Sequence, residues 1–99
     1  MKTDIQSSNF VVKQPLIRFI NKKVGKLIIL DDHLIYSRIY LKIDKISSIL
    51  NKIVEIRLHS SYGEYFAKKK CDTFEESVTL VVRALRKQMI KIKEIRTFY

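Results

Sequence analysis

The chain has 99 residues, of which 20 are Lys or Arg and 10 are Asp or Glu, giving a formal net charge of +10. Hydrophobic residues make up 46% of the sequence, more than a disordered chain carries, and this length suffices for one core rather than two. The longest apolar run, Leu27-Ile28-Ile29-Leu30, is far shorter than the roughly 20 residues that cross a bilayer. These figures exclude a disordered chain, two domains and a membrane-spanning helix.

The cysteine content and the N-terminal residues predict an intracellular, reducing location. Cys71 is the single cysteine and has no partner within the chain for a disulfide. The first residues lack the apolar centre of a signal peptide. Many Ile and Lys with few Asn and Gln are typical both of low-GC genomes and of heat-adapted, thermostable proteins, and these two origins stay open.

The N-terminal third predicts a tail followed by short apolar segments. Residues 1–8 are polar and predict a tail, which leaves residues 9–99 as a single domain. Residues 9–12 and 16–20 are apolar, and Pro15 lies between them. Because proline has no backbone N–H to donate, this pattern predicts an edge strand or a bend.

The middle of the chain predicts a β-hairpin and a short helix. Residues 26–30 and 34–41 are rich in Ile, Leu and Tyr, and the polar residues 31–33 between them favour a hairpin turn. In residues 42–52 the apolar side chains recur at steps of three and four, which favours a short helix over a competing strand.

The C-terminal half predicts a second hairpin and a long helix. Residues 54–59 alternate between apolar and polar, residues 60–63 favour a turn, and residues 64–68 return as a strand. Thr73 and Glu76 then have the spacing of a capping box, and an apolar stripe at helical spacing follows. This predicts an amphipathic helix over residues 73–95.

These elements together predict an α+β fold, in which an antiparallel sheet of five to six short strands packs on the long C-terminal amphipathic helix. The expected core contains Ile28, Leu30, Ile35, Ile39, Ile56, Leu58, Val78, Val81 and Leu85.

The excess positive charge lies in two segments far apart in sequence. Residues 5–30 contain five basic and no acidic residues, and residues 83–99 contain six basic and one acidic residue. If the fold brings them together, segments 13–26 and 83–96 would attract phosphates. The alternative is a solvated basic surface without a partner. The candidate nucleic-acid-binding cations are Lys22, Lys23, Lys26, Arg83, Arg86, Lys87 and Lys91.

A second candidate surface lies on the outward face of the strands. Tyr36, Arg38 and Tyr40 share one strand face, and Arg57 lies between Glu55 and His59 on the outward face of another strand. Aromatic rings beside arginine can stack unpaired bases. A cross-strand network that supports the sheet, or burial of the tyrosines in a subunit interface, explains the same pattern.

The sequence contains no pattern that indicates catalysis, a metal or a cofactor. His33, His59 and Cys71 are scattered without ligand spacing, which argues against a zinc site. With two glycines, the chain has no glycine-rich loop that could hold phosphates. We therefore expect a protein that is not an enzyme, binds no cofactor and holds no metal.

Two resemblances follow from these patterns. The order of a strand, the Asp31-Asp32 turn, a strand, residues 42–49, a strand-turn-strand through residues 60–66 and a closing helix from Thr73 resembles pleckstrin-homology-like domains. That resemblance implies binding of a peptide or an anionic headgroup. The small size, the Ile, Lys and Tyr bias and the absence of enzyme motifs resemble small proteins of filamentous crenarchaeal viruses, which implies a location in the host cytoplasm.

The function predicted from the sequence is a non-enzymatic, basic accessory or interaction protein with nucleic acid as its charged partner. The alternative is a homodimeric protein-binding adaptor or assembly component with no nucleic-acid role. The dimer is suggested by Leu80 and Ala84, which form a short apolar seam outside the core stripe of the C-terminal helix.

Overall fold

A computed structural model describes residues 1–45 and 49–98 of the chain. Four strands and two α-helices occur in the order β1 (Lys2–Ser7), α1 (Gln14–Gly25), β2 (Leu34–Ile43), β3 (Lys52–Ser60), β4 (Gly63–Cys71) and α2 (Phe74–Phe98), and a 3-10 helix, Lys26–Ile29, continues α1. The strand order in the sheet is β1-β2-β3-β4. The α+β class and the C-terminal helix are confirmed.

The number of strands and their directions differ from the prediction. Among the described residues the sheet has four strands rather than five to six, and it is mixed because β1 runs parallel to β2 while the other neighbours are antiparallel. Both helices share one apolar core with the helix-facing side chains of the sheet, so the opposite sheet face is open.

Strand β1 forms from residues that were expected to be a polar tail. Lys2–Ser7 pairs with residues 36–41, and Ile5 packs against the core opposite Ile39. Strand β1 is hard to recognise in the sequence because an edge strand buries few side chains. It is held in place by backbone hydrogen bonds to β2.

Helix α1 replaces the expected edge strand or bend around Pro15. Proline occupies the first turn of the helix, where a missing N–H costs no helical hydrogen bond. Ile20 and Val24 are buried at helical spacing, and Leu27 continues the buried stripe into the 3-10 helix. The apolar segment 16–20 is therefore one face of a helix.

The first predicted hairpin is wrong because Lys26–Ile29 is helical rather than extended. Consequently Ile28 is exposed and Leu30 is only half-buried, contrary to the predicted core. Ile35 is also exposed, since the pairing of β2 with β3 shifts register between Leu34 and Tyr36. The other predicted core residues are buried, namely Ile39, Ile56, Leu58, Val78, Val81 and Leu85.

The second hairpin and the long helix are confirmed. Strands β3 and β4 pair from Ser60 and Gly63 outward, and Gly63 has a φ of 131°, which favours glycine. The short helix expected over residues 42–52 lies partly outside the described residues. Its ends belong to strands, because β2 extends to Ile43 and β3 begins at Lys52.

Helix α2 also closes the outer edge of the sheet. The Gln88 side chain accepts a hydrogen bond from the Phe66 N–H (3.3 Å) and donates one to the Phe66 carbonyl oxygen (2.7 Å). In the ranges that the structure describes, neither helix has the length and apolar content needed to cross a membrane.

The buried stripe of α2 supplies a test of the fold. Leu85 is fully buried beneath the sheet, so Leu85→Ala should lower the free energy of unfolding by about 2–5 kcal/mol through loss of apolar contact and a residual cavity. Denaturant unfolding measures this change. The control is Leu50→Ala, at a side chain that is 54% exposed. Similar effects of the two substitutions would contradict the packing described here.

Candidate nucleic-acid interface

The two basic segments meet where α1 and the 3-10 helix lie beside α2. A groove of about 480 Å³ opens between them. Its cations come from both segments, Lys23 and Lys26 from one wall and Arg83 and Arg86 from the other. The rest of the lining is Leu27, Ile29, Leu30, Thr79 and Val82. None of these lining residues, all of them in the described part of the chain, is acidic.

Helical spacing places these side chains on the groove. In α2 the buried stripe contains Val81 and Leu85, while Thr79, Val82, Arg83 and Arg86 recur at steps of three and four beside it. On the other wall, Lys23 precedes the buried Val24 and Lys26 precedes the buried Leu27. The residues that fix each helix on the core therefore also fix the direction of the adjacent cations.

The groove cations have few interactions within the protein. Lys26, Arg83 and Arg86 are exposed, and none of them forms an ion pair or a side-chain hydrogen bond with the residues that the structure describes. The Lys23 ammonium lies 5.6 Å from the centre of the Phe19 ring. These positive charges are therefore available to an external anion.

The remaining predicted cations lie outside the groove lining. Lys22 lies on α1, and Lys87 and Lys91 lie on α2. All three side chains are exposed. They add positive charge to the same two helices.

The open sheet face brings together the predicted aromatic and basic residues. Tyr36, Arg38 and Tyr40 pair in register with His59, Arg57 and Glu55, so the predicted shared face is confirmed. The Tyr36 ring stacks on His59 with centroids 5.0 Å apart, and the Arg38 guanidinium lies 5.0 Å from the Tyr36 ring.

Arg57 on this sheet face is also engaged within the protein. Its guanidinium donates a hydrogen bond to Glu64 (3.2 Å) and lies 4.9 Å from the Phe66 ring centre. The neighbouring Lys68 pairs with Glu55 at 3.3 Å. The arrangement matches the cross-strand network that the sequence left open, and its acidic members reduce the attraction of this face for phosphate.

The predicted dimer seam offers little apolar surface. Leu80 and Ala84 are both half-buried, and Ala84 packs against the core. The homodimer stays a prediction.

A buried carboxylate, which sequence analysis placed in a hairpin turn, holds the 3-10 wall of the groove. Asp31 is 4% exposed and accepts hydrogen bonds from the Ser60 hydroxyl (2.7 Å), the Tyr65 hydroxyl (3.2 Å) and the His33 N–H (2.9 Å). Burial acts to raise the pKa of Asp31, but the hydrogen bonds from Ser60, His33 and Tyr65 outweigh it and the pKa lies below its usual value. The carboxylate thus stays charged and links the groove wall to β3 and β4.

The C-terminal part of α2 lies at the turn between β3 and β4, at the same end of the molecule as Asp31. The Arg96 guanidinium lies 3.6 Å from the centre of the Tyr62 ring, at the turn between β3 and β4. In the part of the chain that the structure describes, no three His, Cys, Asp or Glu side chains form a group that could hold a metal ion.

Comparison with protein families identifies the chain. Residues 3–97 match the family described as sigma 54 modulation protein / S30EA ribosomal protein. The chain belongs to this family. No curated protein sequence matches it significantly.

Two solved structures have the same fold as this member of the S30EA family. A ribosomal subunit interface protein from Coxiella burnetii has a TM-score of 0.85 at 21% identity, covering 95% of this chain and 99% of that one. The N-terminal domain of Thermus thermophilus Protein Y has a TM-score of 0.80 at 14% identity, covering 93% and 99%.

The S30EA assignment corrects the resemblances and the function inferred from the sequence. The resemblance to crenarchaeal viral proteins is wrong, because it depended on composition, which unrelated families share. The pleckstrin-homology-like order is also wrong, since α1 lies between the first two of four strands. The predicted accessory protein or homodimeric adaptor is replaced by a protein of a ribosomal family.

The Asp31 cluster predicts a pH-dependent contribution to stability. Because the pKa of Asp31 is lowered in the folded state, its contribution is fully present above the pKa of an unfolded Asp, about 3.9, and is lost as the pH falls through the folded pKa. Asp31→Asn should therefore lower the free energy of unfolding by about 1–3 kcal/mol at neutral pH. The difference from wild type should shrink progressively as the pH falls below the unfolded value of about 3.9.

Denaturant unfolding at several pH values tests this expectation. Asp32→Asn is the matched control, because the Asp32 side chain is 88% exposed and lies 3.6 Å from the His33 ring. A wild-type advantage over Asp31→Asn that stays constant across the pH range would contradict the role assigned to the carboxylate.

Proposed function

We propose that the protein binds the ribosome and that the groove between α1 and α2 contacts ribosomal RNA. The observation that carries the proposal is the groove, whose described lining residues include four cations and no acidic side chain. Family membership indicates the ribosome as the partner, since the family is that of the S30EA ribosomal protein and the similar Coxiella burnetii protein is a ribosomal subunit interface protein. RNA phosphates are the anions that such a surface attracts.

The proposed role is non-enzymatic and cytoplasmic. Association through phosphate contacts requires no bond to be made or broken, and a ribosome-binding protein works where ribosomes are. The site is assigned to Lys23, Lys26, Arg83 and Arg86, with Lys22, Lys87 and Lys91 adding to the local field.

The aromatic and basic residues on the open sheet face are not part of the proposed RNA-binding site. Tyr36, Arg38, Tyr40 and Arg57 lie among the carboxylates of Asp4, Glu55 and Glu64, whereas the described residues that line the groove include no acidic side chain. Their contacts support a structural role, so we assign RNA binding to the helix side.

Co-sedimentation with purified ribosomal subunits tests the proposal. Arg83→Glu combined with Arg86→Glu should abolish most of the binding at fixed magnesium concentration, because the second wall of the groove becomes acidic. For wild type, about four phosphate contacts predict roughly 100-fold weaker binding when monovalent salt rises from about 50 to about 200 mM.

The control reverses the same number of charges on the opposite face. Lys2 and Lys42 are exposed, and β1 and β2 place them on the open side of the sheet. Lys2→Glu with Lys42→Glu gives the same change in net charge as the groove variant, so general attraction to RNA falls equally in both proteins. Equal loss of binding would overturn the assignment to the groove, and absence of wild-type binding would overturn the proposed function.

A further inference from the structure

The interior of the groove differs chemically from its rim. Leu27 is buried, Leu30 and Val82 are half-buried, and Ile29 is 80% exposed although it lies between cationic side chains. The hydroxyl of Thr79 donates its proton to the Glu75 carbonyl oxygen (2.8 Å), so it has no proton left to donate to a ligand in the groove. Among the described lining residues, the interior is therefore aliphatic and the charged groups belong to the long side chains of Lys and Arg.

A phosphate alone would not use this interior. Phosphate oxygens require hydrogen-bond donors or cations, and desolvating them against Leu and Ile side chains is unfavourable. An RNA duplex presents mainly backbone phosphates and hydroxyl groups, because its bases are stacked inside the helix. Contact with a duplex would therefore engage the cations and leave the apolar lining in water.

An unpaired nucleotide matches both parts of the groove. The faces of a base are apolar and pack between aliphatic or aromatic side chains, and arginine guanidinium planes also stack on bases. The groove volume of about 480 Å³ lies in the range of sites that enclose one small ligand.

We propose that the groove receives one unpaired RNA nucleotide, with its base between Ile29 on the 3-10 helix and Val82 on α2. The flanking phosphates then contact Lys23 and Lys26 on one side and Arg83 and Arg86 on the other. This inference rests on the proposed function and adds the kind of RNA structure that the site recognises. Since the described interior is mainly aliphatic and Thr79 is its one polar side chain, we expect the site to recognise the presence and size of a base more than its identity.

Three RNA hairpins of otherwise identical sequence test the inference. One carries a single bulged adenosine, the second an abasic nucleotide at the same position, and the third is fully paired. The adenosine and abasic forms have the same number of phosphates, so their difference in affinity reports on the base. Fluorescence polarisation should give about 5- to 10-fold tighter binding for the bulged adenosine, as expected for burial of one base face against aliphatic side chains.

Ile29→Ser should remove this preference for adenosine over the abasic form while leaving affinity for the paired hairpin unchanged. The matched control is Val11→Ser, because Val11 is also β-branched and is 87% exposed outside the groove. Val11→Ser should retain the wild-type preference. Both side chains are largely in solvent, so both variants should unfold at the wild-type temperature.

The outcomes separate this inference from the proposed function. Equal affinity for adenosine and abasic bulges, with steep salt dependence, would overturn the nucleotide site and leave ribosome binding intact. Failure to bind every hairpin and ribosomal subunits would overturn both. Binding of a peptide of alternating Asp and Leu, lost in Ile29→Ser while no hairpin binds, would make the groove a protein-binding site and overturn the inference.

Discussion

The buried carboxylate of Asp31 is the constraint on which the shape of the helix side depends. Residues 27–30 are apolar and have no sequence feature that selects a strand over a helix. Asp31 fixes the position of the C-terminal end of this segment, because its carboxylate accepts hydrogen bonds from the hydroxyls of Ser60 on β3 and Tyr65 on β4. Moving the segment would leave a charged group buried without donors, which is costly. The end of the 3-10 helix is therefore held in place on β3 and β4.

The two faces of the molecule use similar residue types in opposite ways. On the sheet face, arginine and lysine side chains lie opposite carboxylates and over aromatic rings, as Arg57 does between Glu64 and Phe66. On the helix side, Arg83 and Arg86 have no acidic neighbour among the groove residues described. The net charge of +10 is thus a property of one side more than of the whole surface. Such an asymmetry orients a protein during its approach to a polyanion.

The parts of the fold that were predictable from the sequence depend on local periodicity. Apolar residues alternate in residues 54–59, and an apolar stripe at helical spacing runs through Val81 and Leu85. Both patterns follow directly from which side chains are buried, so β3, β4 and α2 could be predicted. Strand β1 depends on pairing with residues more than thirty positions away, and α1 begins at a proline that also fits a bend. The basic segments were identified, but their meeting in one groove follows from helix packing, and composition alone led to the wrong family.

The amide of Gln88 makes the two edges of the sheet unequal as places where a further strand could pair. By occupying the N–H and carbonyl of Phe66, it stands where the backbone of a fifth strand would bind, so this side chain would have to leave before a strand could pair along the whole of β4. The outer edge of β1 has no partner strand among the described residues. A partner that extends this sheet, including a second copy of the chain, would therefore join at β1, far from the edge that α2 covers.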